Sequence, residues 1–180
     1  MASIGSPRHV EFIAGIITDA LFIAQDHRRD TRLYLVFEDS RDFSRTLLID
    51  GASMGDLGGL HEQALLTACA TALEQAGKLI KGQAVVAGNG IVVETISFEW
   101  LVKRLAREHN CYLLDRKGVR ATAADLGSDD VFILSDHVPM PKKSLSSMKR
   151  QGVKVVSLGP TLLFASQCIT LLHQLAESSD

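Results

Sequence analysis

The sequence predicts an α/β fold: a mainly parallel sheet with helices on both faces, in a single domain spanning residues 1–180. Three observations carry this expectation. Short apolar, strand-like runs alternate with amphipathic helical stretches, and strands joined through helices return to the same end of a sheet and pair in parallel. The chain has 180 residues, 46% apolar and 22% charged, which suits one α/β core and would cramp two. No internal repeat, low-complexity tract or linker divides it.

The elements follow in order. From Glu11 to Ala24 the positions Phe12, Ile13, Ile16, Ile17, Ala20, Leu21, Ile23 and Ala24 recur at helical spacing. The polar break QDHRRD ends that helix, and Arg32–Glu38 (RLYLVFE) reads as a buried strand. After a polar connection, Thr46–Ile49 is a second short strand. DGASMGDLGG holds four glycines and is expected to be loop. Leu60–Gln75, rich in Ala and Leu, is a long helix, whereas Gly77–Asn89 is punctuated by glycine and has no assignable pattern. Beyond it come a β-branched stretch at Ile91–Glu94 and an amphipathic helix over Phe98–Glu108. Strands are expected at Cys111–Leu114, Val131–Leu134 and Val153–Ser157, with a lysine-bearing helix near Ser144–Arg150 and a final helix over Leu162–Leu175.

Composition narrows the function classes. A formal net charge of −2 argues against binding nucleic acid through bulk charge, but a local basic groove is compatible with it. The three cysteines, Cys69, Cys111 and Cys168, are too few and scattered for a disulfide framework and suit buried thiols in a reducing compartment. The six histidines show no CxxC, HxxxH or HExxH spacing, so no metal site is expected. No apolar run approaches the roughly 20 residues of a membrane span. The opening MASIGSPRHVEF lacks the pattern of a signal peptide, so the expected location is the cytoplasm.

Ligands of open parallel sheets bind beyond the carboxyl ends of the strands. Three such ends stand out: Leu113-Leu114-Asp115, Leu134-Ser135-Asp136-His137 and Ser157-Leu158-Gly159-Pro160. In the third, glycine permits close approach to backbone and Pro160 suits a helix start, although a plain β-to-α turn also accounts for it. There is no GxGxxG, GxxxxGK[ST] or GxSxG, which removes the dinucleotide, P-loop and hydrolase-elbow readings. Asp136-His137 suits either proton transfer or a loop hydrogen-bonding network. Cys168 reads as a core thiol, because a thiolate nucleophile would need an activating cation that the sequence does not locate. His27-Arg28-Arg29 closes the first helix, where cations complement the dipole. Lys142, Lys143, Lys149, Arg150 and Lys154 form either a solvated helix face or phosphate contacts beside a pocket.

The blocks QDHRRDTRLYLVF, FILSDHVPMPKKS and VSLGPTLLFASQCITLLH together resemble the archaeal tRNA pseudouridine N(1)-methyltransferase family. A bacterial branch described as pseudouridine methyltransferases is similar in DFSRTLLID, GGLHEQALLT and TISFEWLV, and the resemblance runs from about Ser3 to Glu177. It implies a SPOUT-type fold with a C-terminal trefoil knot, a feature rare among proteins. It implies S-adenosylmethionine as methyl donor, held by backbone groups of three loops. Those loops correspond to Leu113, to Ser135, and to Ser157, Leu158, Gly159, Pro160, Thr161, Leu162 and Leu163, with Cys168 in the last helix. It further implies an RNA substrate, most directly tRNA, and a homodimer. The apolar set Leu162, Phe164, Ile169 and Leu172 gives that dimer an interface.

The chemistry implied is direct displacement, with Asp136 and Glu11 as candidate bases for the proton of the attacked nitrogen. Arg28, Arg29, Lys142 and Lys143 are the candidates for RNA phosphate contacts. The sequence departs from the archaeal pattern in three places. Ser135 stands where glycine precedes the Asp-His pair, and His9, Val10 and Glu11 stand where an Arg-Leu-Asp triplet is found. Family members also carry a further β-strand ahead of the point where this sequence begins. An rRNA or other-base methyltransferase of the same fold, and a non-catalytic RNA-binding or ribosome-assembly protein, are the alternatives.

Overall fold

The computed structural model describes residues 7–38, 42–127, 129–135 and 140–178. The chain forms two compact units, Met1–Phe98 and Glu99–Asp180.

The first unit opens with α1 (Pro7–Leu21), which packs on α2 (Glu62–Gln75). Ile17 and Leu21 of α1 are fully enclosed. Along α2 the buried residues Leu65, Ala68, Cys69 and Ala72 fall at i, i+3, i+4 and i+7, one helical stripe. The first helix does not continue to Ala24. The chain turns instead into a small antiparallel hairpin, β1 (Phe22–Ile23) and β2 (Asp26–His27). The Arg28 N–H donates to the Leu21 carbonyl at 2.7 Å, satisfying a group that the end of α1 would otherwise leave open.

A four-stranded sheet completes this unit, in the order β3 (Arg32–Phe37), β4 (Arg45–Asp50), β6 (Val92–Glu94), β5 (Ala84–Val86). Leu47, Ile49 and Val93 are its enclosed centre. Every pair in it is antiparallel. The expectation of a mainly parallel sheet therefore holds for the second unit alone. For two of the three pairs the reason lies in the connections: residues 38–44 between β3 and β4, and 87–91 between β5 and β6, are too short to return a strand in parallel. β5 lies in the glycine-punctuated stretch that had no legible pattern, and Gly90, at φ +81°, turns it back onto β6.

The second unit holds a parallel sheet in the order β8 (Val131–Ile133), β7 (Cys111–Arg120), β9 (Lys154–Ser157). On central β7, Leu113 lies opposite Ile133 on one side and Val155 on the other. Tyr112 stacks on Phe132 with ring centres 5.5 Å apart, and Tyr112, Ala121 and Val156 form a small core with Leu114, Phe132 and Leu158. The crossover from β8 to β9 runs through α4 (Lys142–Arg150), while α3 (Phe98–Leu105) leads in and α5 (Ala165–Glu177) follows β9. The Ser144 hydroxyl donates to Glu99 Oε1 at 3.0 Å, fastening α4 to α3.

Candidate functional site at the ends of the parallel strands

The carboxyl ends of β7, β8 and β9 lie side by side, because Leu113 pairs with both Ile133 and Val155. That is where an open parallel sheet presents backbone to a ligand. The structure thus brings together Leu113, Ser135 and the segment from Ser157, three parts of the candidate donor site separated in sequence.

At the end of β7 the strand does not stop at Leu114. Leu114 and Val119 both lie opposite Val156, so Asp115, Arg116, Lys117 and Gly118 are looped out between them. Asp115 Oδ1 accepts the Lys117 N–H at 2.8 Å, an Asx turn that starts the loop. Gly118 brings the chain back against β9 so closely that a Cβ there would lie 2.5 Å from the Val156 carbonyl carbon. The Ala121 N–H then donates to the Ser157 carbonyl at 2.9 Å. The Asp-x-x-Gly spacing was the signal in the sequence for this feature.

At the end of β9, Ser157 is buried, and its hydroxyl bridges Gly159 from both sides: it donates to the Gly159 carbonyl and accepts the Gly159 N–H, each at 3.1 Å. Gly159 sits at φ +135°, a conformation side chains rarely adopt, and a Cβ there would meet nothing within 4 Å among the described residues. The chain runs irregularly, with bends at Leu158, Pro160 and Thr161, until α5 starts at Ala165, three residues later than its apolar pattern suggests. Gln167 sets that start by accepting the Phe164 N–H at 3.0 Å. Between the two, the backbone N–H groups of Thr161, Leu162 and Leu163 have no acceptor among the described residues. Leu162 is 79% exposed, and Leu158 and Leu163 are half-buried. Unpaired backbone groups beside apolar side chains and open space suit the purine and the methionine chain of an adenosyl ligand.

Cys168 lies one turn into α5, its N–H donating to the Phe164 carbonyl at 3.0 Å. Burial pushes its thiol above the ordinary range, so it is neutral near pH 7 and unsuited to nucleophilic attack. Lys142 and Lys143 are exposed in the first turn of α4, where the helix dipole repels cations. Helix stability therefore does not explain them, whereas it does explain Lys149 and Arg150 in the last turn. Ser135 is exposed just past β8; Asp136 and His137 lie outside the described residues.

The other candidates belong to the first unit. Glu11 is in α1. Arg28 is half-buried after β2, and Arg29 is exposed with its guanidinium 3.8 Å from Asp26 Oδ1. Among the described residues, no three His, Cys, Asp or Glu side chains gather to hold a metal, and no helix is long and apolar enough to cross a membrane.

A family model described as "Putative SAM-dependent RNA methyltransferase" matches residues 3–180. The chain belongs to that family. Among the relatives of this methyltransferase is a Shewanella baltica protein named "Putative pseudouridine methyltransferase", 44% identical over 173 residues, covering 96% of this chain and 87% of that one. A Vibrio cholerae protein of the same name is 46% identical over 170 residues, covering 94% of this chain and 85% of its own. The fold of this methyltransferase is that of Archaeoglobus fulgidus Nep1, whose crystal structure was determined bound to S-adenosylhomocysteine. The TM-score is 0.66 at 14% identity, covering 94% of this chain and 70% of the other. The family indicated by the blocks around the strand ends is the family found.

Proposed function

We propose that this S-adenosylmethionine-dependent RNA methyltransferase methylates the N(1) nitrogen of a pseudouridine, in tRNA. The observation that carries the donor half of this reading is the β9 end: Gly159 open to its surroundings, followed by the N–H groups of Thr161, Leu162 and Leu163, unpaired among the described residues. S-adenosylmethionine, when bound, supplies an electrophilic sulfonium methyl group. Leu113 and Ser135 complete the donor site from β7 and β8, in a C-terminal trefoil knot of the SPOUT type. The two compact units act as one methyltransferase domain. The names of the relatives from Shewanella and Vibrio support pseudouridine as the target.

The chain's own residues then have three tasks. The strand-end loops hold the donor and the base in register and exclude water, which supplies most of the acceleration in a direct displacement. Asp136 or Glu11 takes the imino proton of the target base. Lys142 and Lys143, joined by Arg28 and Arg29, contact RNA phosphates. The reaction takes place in the cytoplasm, where the RNA is.

A pair of identical tRNA arms, one with pseudouridine and one with uridine at the same position, tests the target. In uridine the corresponding nitrogen is consumed by the glycosidic bond, so labelled methyl should enter the pseudouridine arm alone. Equal label in both arms would mean that another atom is attacked. Label in neither, with donor binding intact, would point to rRNA or another RNA.

The enzyme is a homodimer in this reading. Of the four residues assigned to the interface from sequence, Ile169 and Leu172 are instead buried within the chain, and Leu162 and Phe164, at 79% and 59% exposed, remain. Val119, Val155 and Leu171 are further exposed apolar residues of the same unit. Light scattering should give twice the chain mass of 19.5 kDa at micromolar concentration, and Leu162→Asp/Phe164→Asp should return it to the monomer mass. A monomer mass for the unaltered protein would overturn the dimer.

A further inference from the structure

The protein has one tryptophan, Trp100, and it is 58% exposed on α3. Tryptophan is rarely so open to water without a purpose, since enclosing its ring is among the larger apolar gains available to a chain. The other face of α3 is used in the ordinary way: Leu101 and Val102 are buried, and Glu99 accepts the Ser144 hydroxyl. The outer face carries Trp100, Lys103, Arg104 and Arg107 at i, i+3, i+4 and i+7, so the four side chains form one stripe. Backbone bonds from Ala106 to Val102 and from Arg107 to Arg104 extend the helical turn far enough to bring Arg107 into line.

Lys103 Nζ lies 4.5 Å from the centre of the Trp100 ring, covering one face of the indole. Neither Lys103 nor Arg107 has an acidic partner among the described residues. Attraction to the helix dipole accounts for cations in a last turn, but not for an exposed indole at the head of the same stripe. An aromatic plane beside a row of cations is the combination that single-stranded RNA recognises: a base stacks on the ring and phosphates follow the charges.

We infer that the outer face of α3 is an RNA-docking surface, on which an unpaired base stacks against Trp100 while Lys103, Arg104 and Arg107 contact the adjoining phosphates. The inference rests on the RNA-methyltransferase reading, and it adds a contact surface separate from the donor loops. It commits to a loop or single-stranded segment of the substrate RNA.

The lone tryptophan makes the test direct, because its emission reports on this face alone. A pseudouridine-containing stem-loop RNA titrated into the full-length protein should quench the emission. Trp100→Ala should weaken RNA affinity about tenfold, with Trp100→Phe retaining most of it, while affinity for S-adenosylmethionine stays at the wild-type value in both. Lys103→Gln/Arg107→Gln should flatten the dependence of log affinity on log salt by about 1.4. RNA binding with silent emission, and with unchanged affinity in Trp100→Ala, would overturn the docking surface and leave the methyltransferase reading standing. A protein that binds donor but no RNA at any salt would overturn both. Quenching by anionic phospholipid vesicles, with none by RNA, would overturn the RNA assignment of this face in favour of a membrane surface.

Discussion

Gly118→Ala should be nearly as damaging as Gly118→Val, and either should lower the melting temperature by roughly 10 °C or more. The expectation follows from what the first added atom meets. A Cβ at this position would lie 2.5 Å from the carbonyl carbon of Val156 and 2.7 Å from its Cα and its nitrogen. These are backbone atoms in the middle of β9, and no rotamer change relieves the overlap. β7 and β9 would have to separate where Val119 and Arg120 rejoin the ladder opposite Val156 and Ser157. Overpacking against side chains costs about 1–3 kcal/mol, and forcing backbone apart should exceed that range. In a chain of this size each kcal/mol lowers the melting temperature by roughly 2–4 °C. Gly88→Ala is the control, since a Cβ there meets nothing within 4 Å, and it should shift the melt by no more than about 2 °C. A Gly118→Ala protein that melts with the wild type would show that the β7 loop-out is not fixed by this close approach.

The loop-out also shows what was legible in the sequence and what was not. The breaks after Leu114, Leu134 and Ser157 could be read because each closes an apolar run that gives way within two residues to polar or glycine residues. Richness in Ala and Leu located α2 to within two residues at its start, and residue content is the kind of signal that apolar runs carry. That signal could not show that β7 resumes after Asp115, because Val119 and Arg120 pair with β9 while their side chains stay exposed. A strand with no buried residues at its end carries no apolar signal. The same holds for β5, where Ala84 and Val86 are exposed and only their pairing with β6 makes them a strand. The apolar pattern of α5 runs ahead of the helix itself because Leu162, Leu163 and Phe164 continue it. Their conformation is decided by the Gln167 cap and by the bends on either side of Gly159, which hydrophobic spacing does not record. The role of Trp100 is hidden in the sequence for a related reason. An aromatic residue on an amphipathic helix is most simply assigned to the core, and only its exposure reveals another use.

Gly159→Val should abolish measurable binding of S-adenosylmethionine and leave the protein folded. Two magnitudes decide the balance. A side chain at φ +135° costs about 1–3 kcal/mol, which a domain with the usual 5–15 kcal/mol of stability tolerates. No steric term adds to it, because no atom of the described residues lies within 4 Å of a Cβ here. That same emptiness is the room the donor reading needs. A valine would fill it with three carbons and would strain the loop that Ser157 fastens through its two bonds to Gly159. The neighbouring N–H groups of Thr161, Leu162 and Leu163 would then be turned from the ligand they are left open to meet. Displacing a ligand from that space and losing one or two backbone hydrogen bonds should together exceed about 2.7 kcal/mol, or 100-fold in affinity. Calorimetry measures the affinity, and circular dichroism melting measures the fold. Gly159→Ala separates the two causes: it imposes nearly the same strain with one carbon, so its affinity should fall less while its melting temperature matches that of the valine variant. A folded Gly159→Val protein with wild-type affinity would place the donor elsewhere than the β9 end.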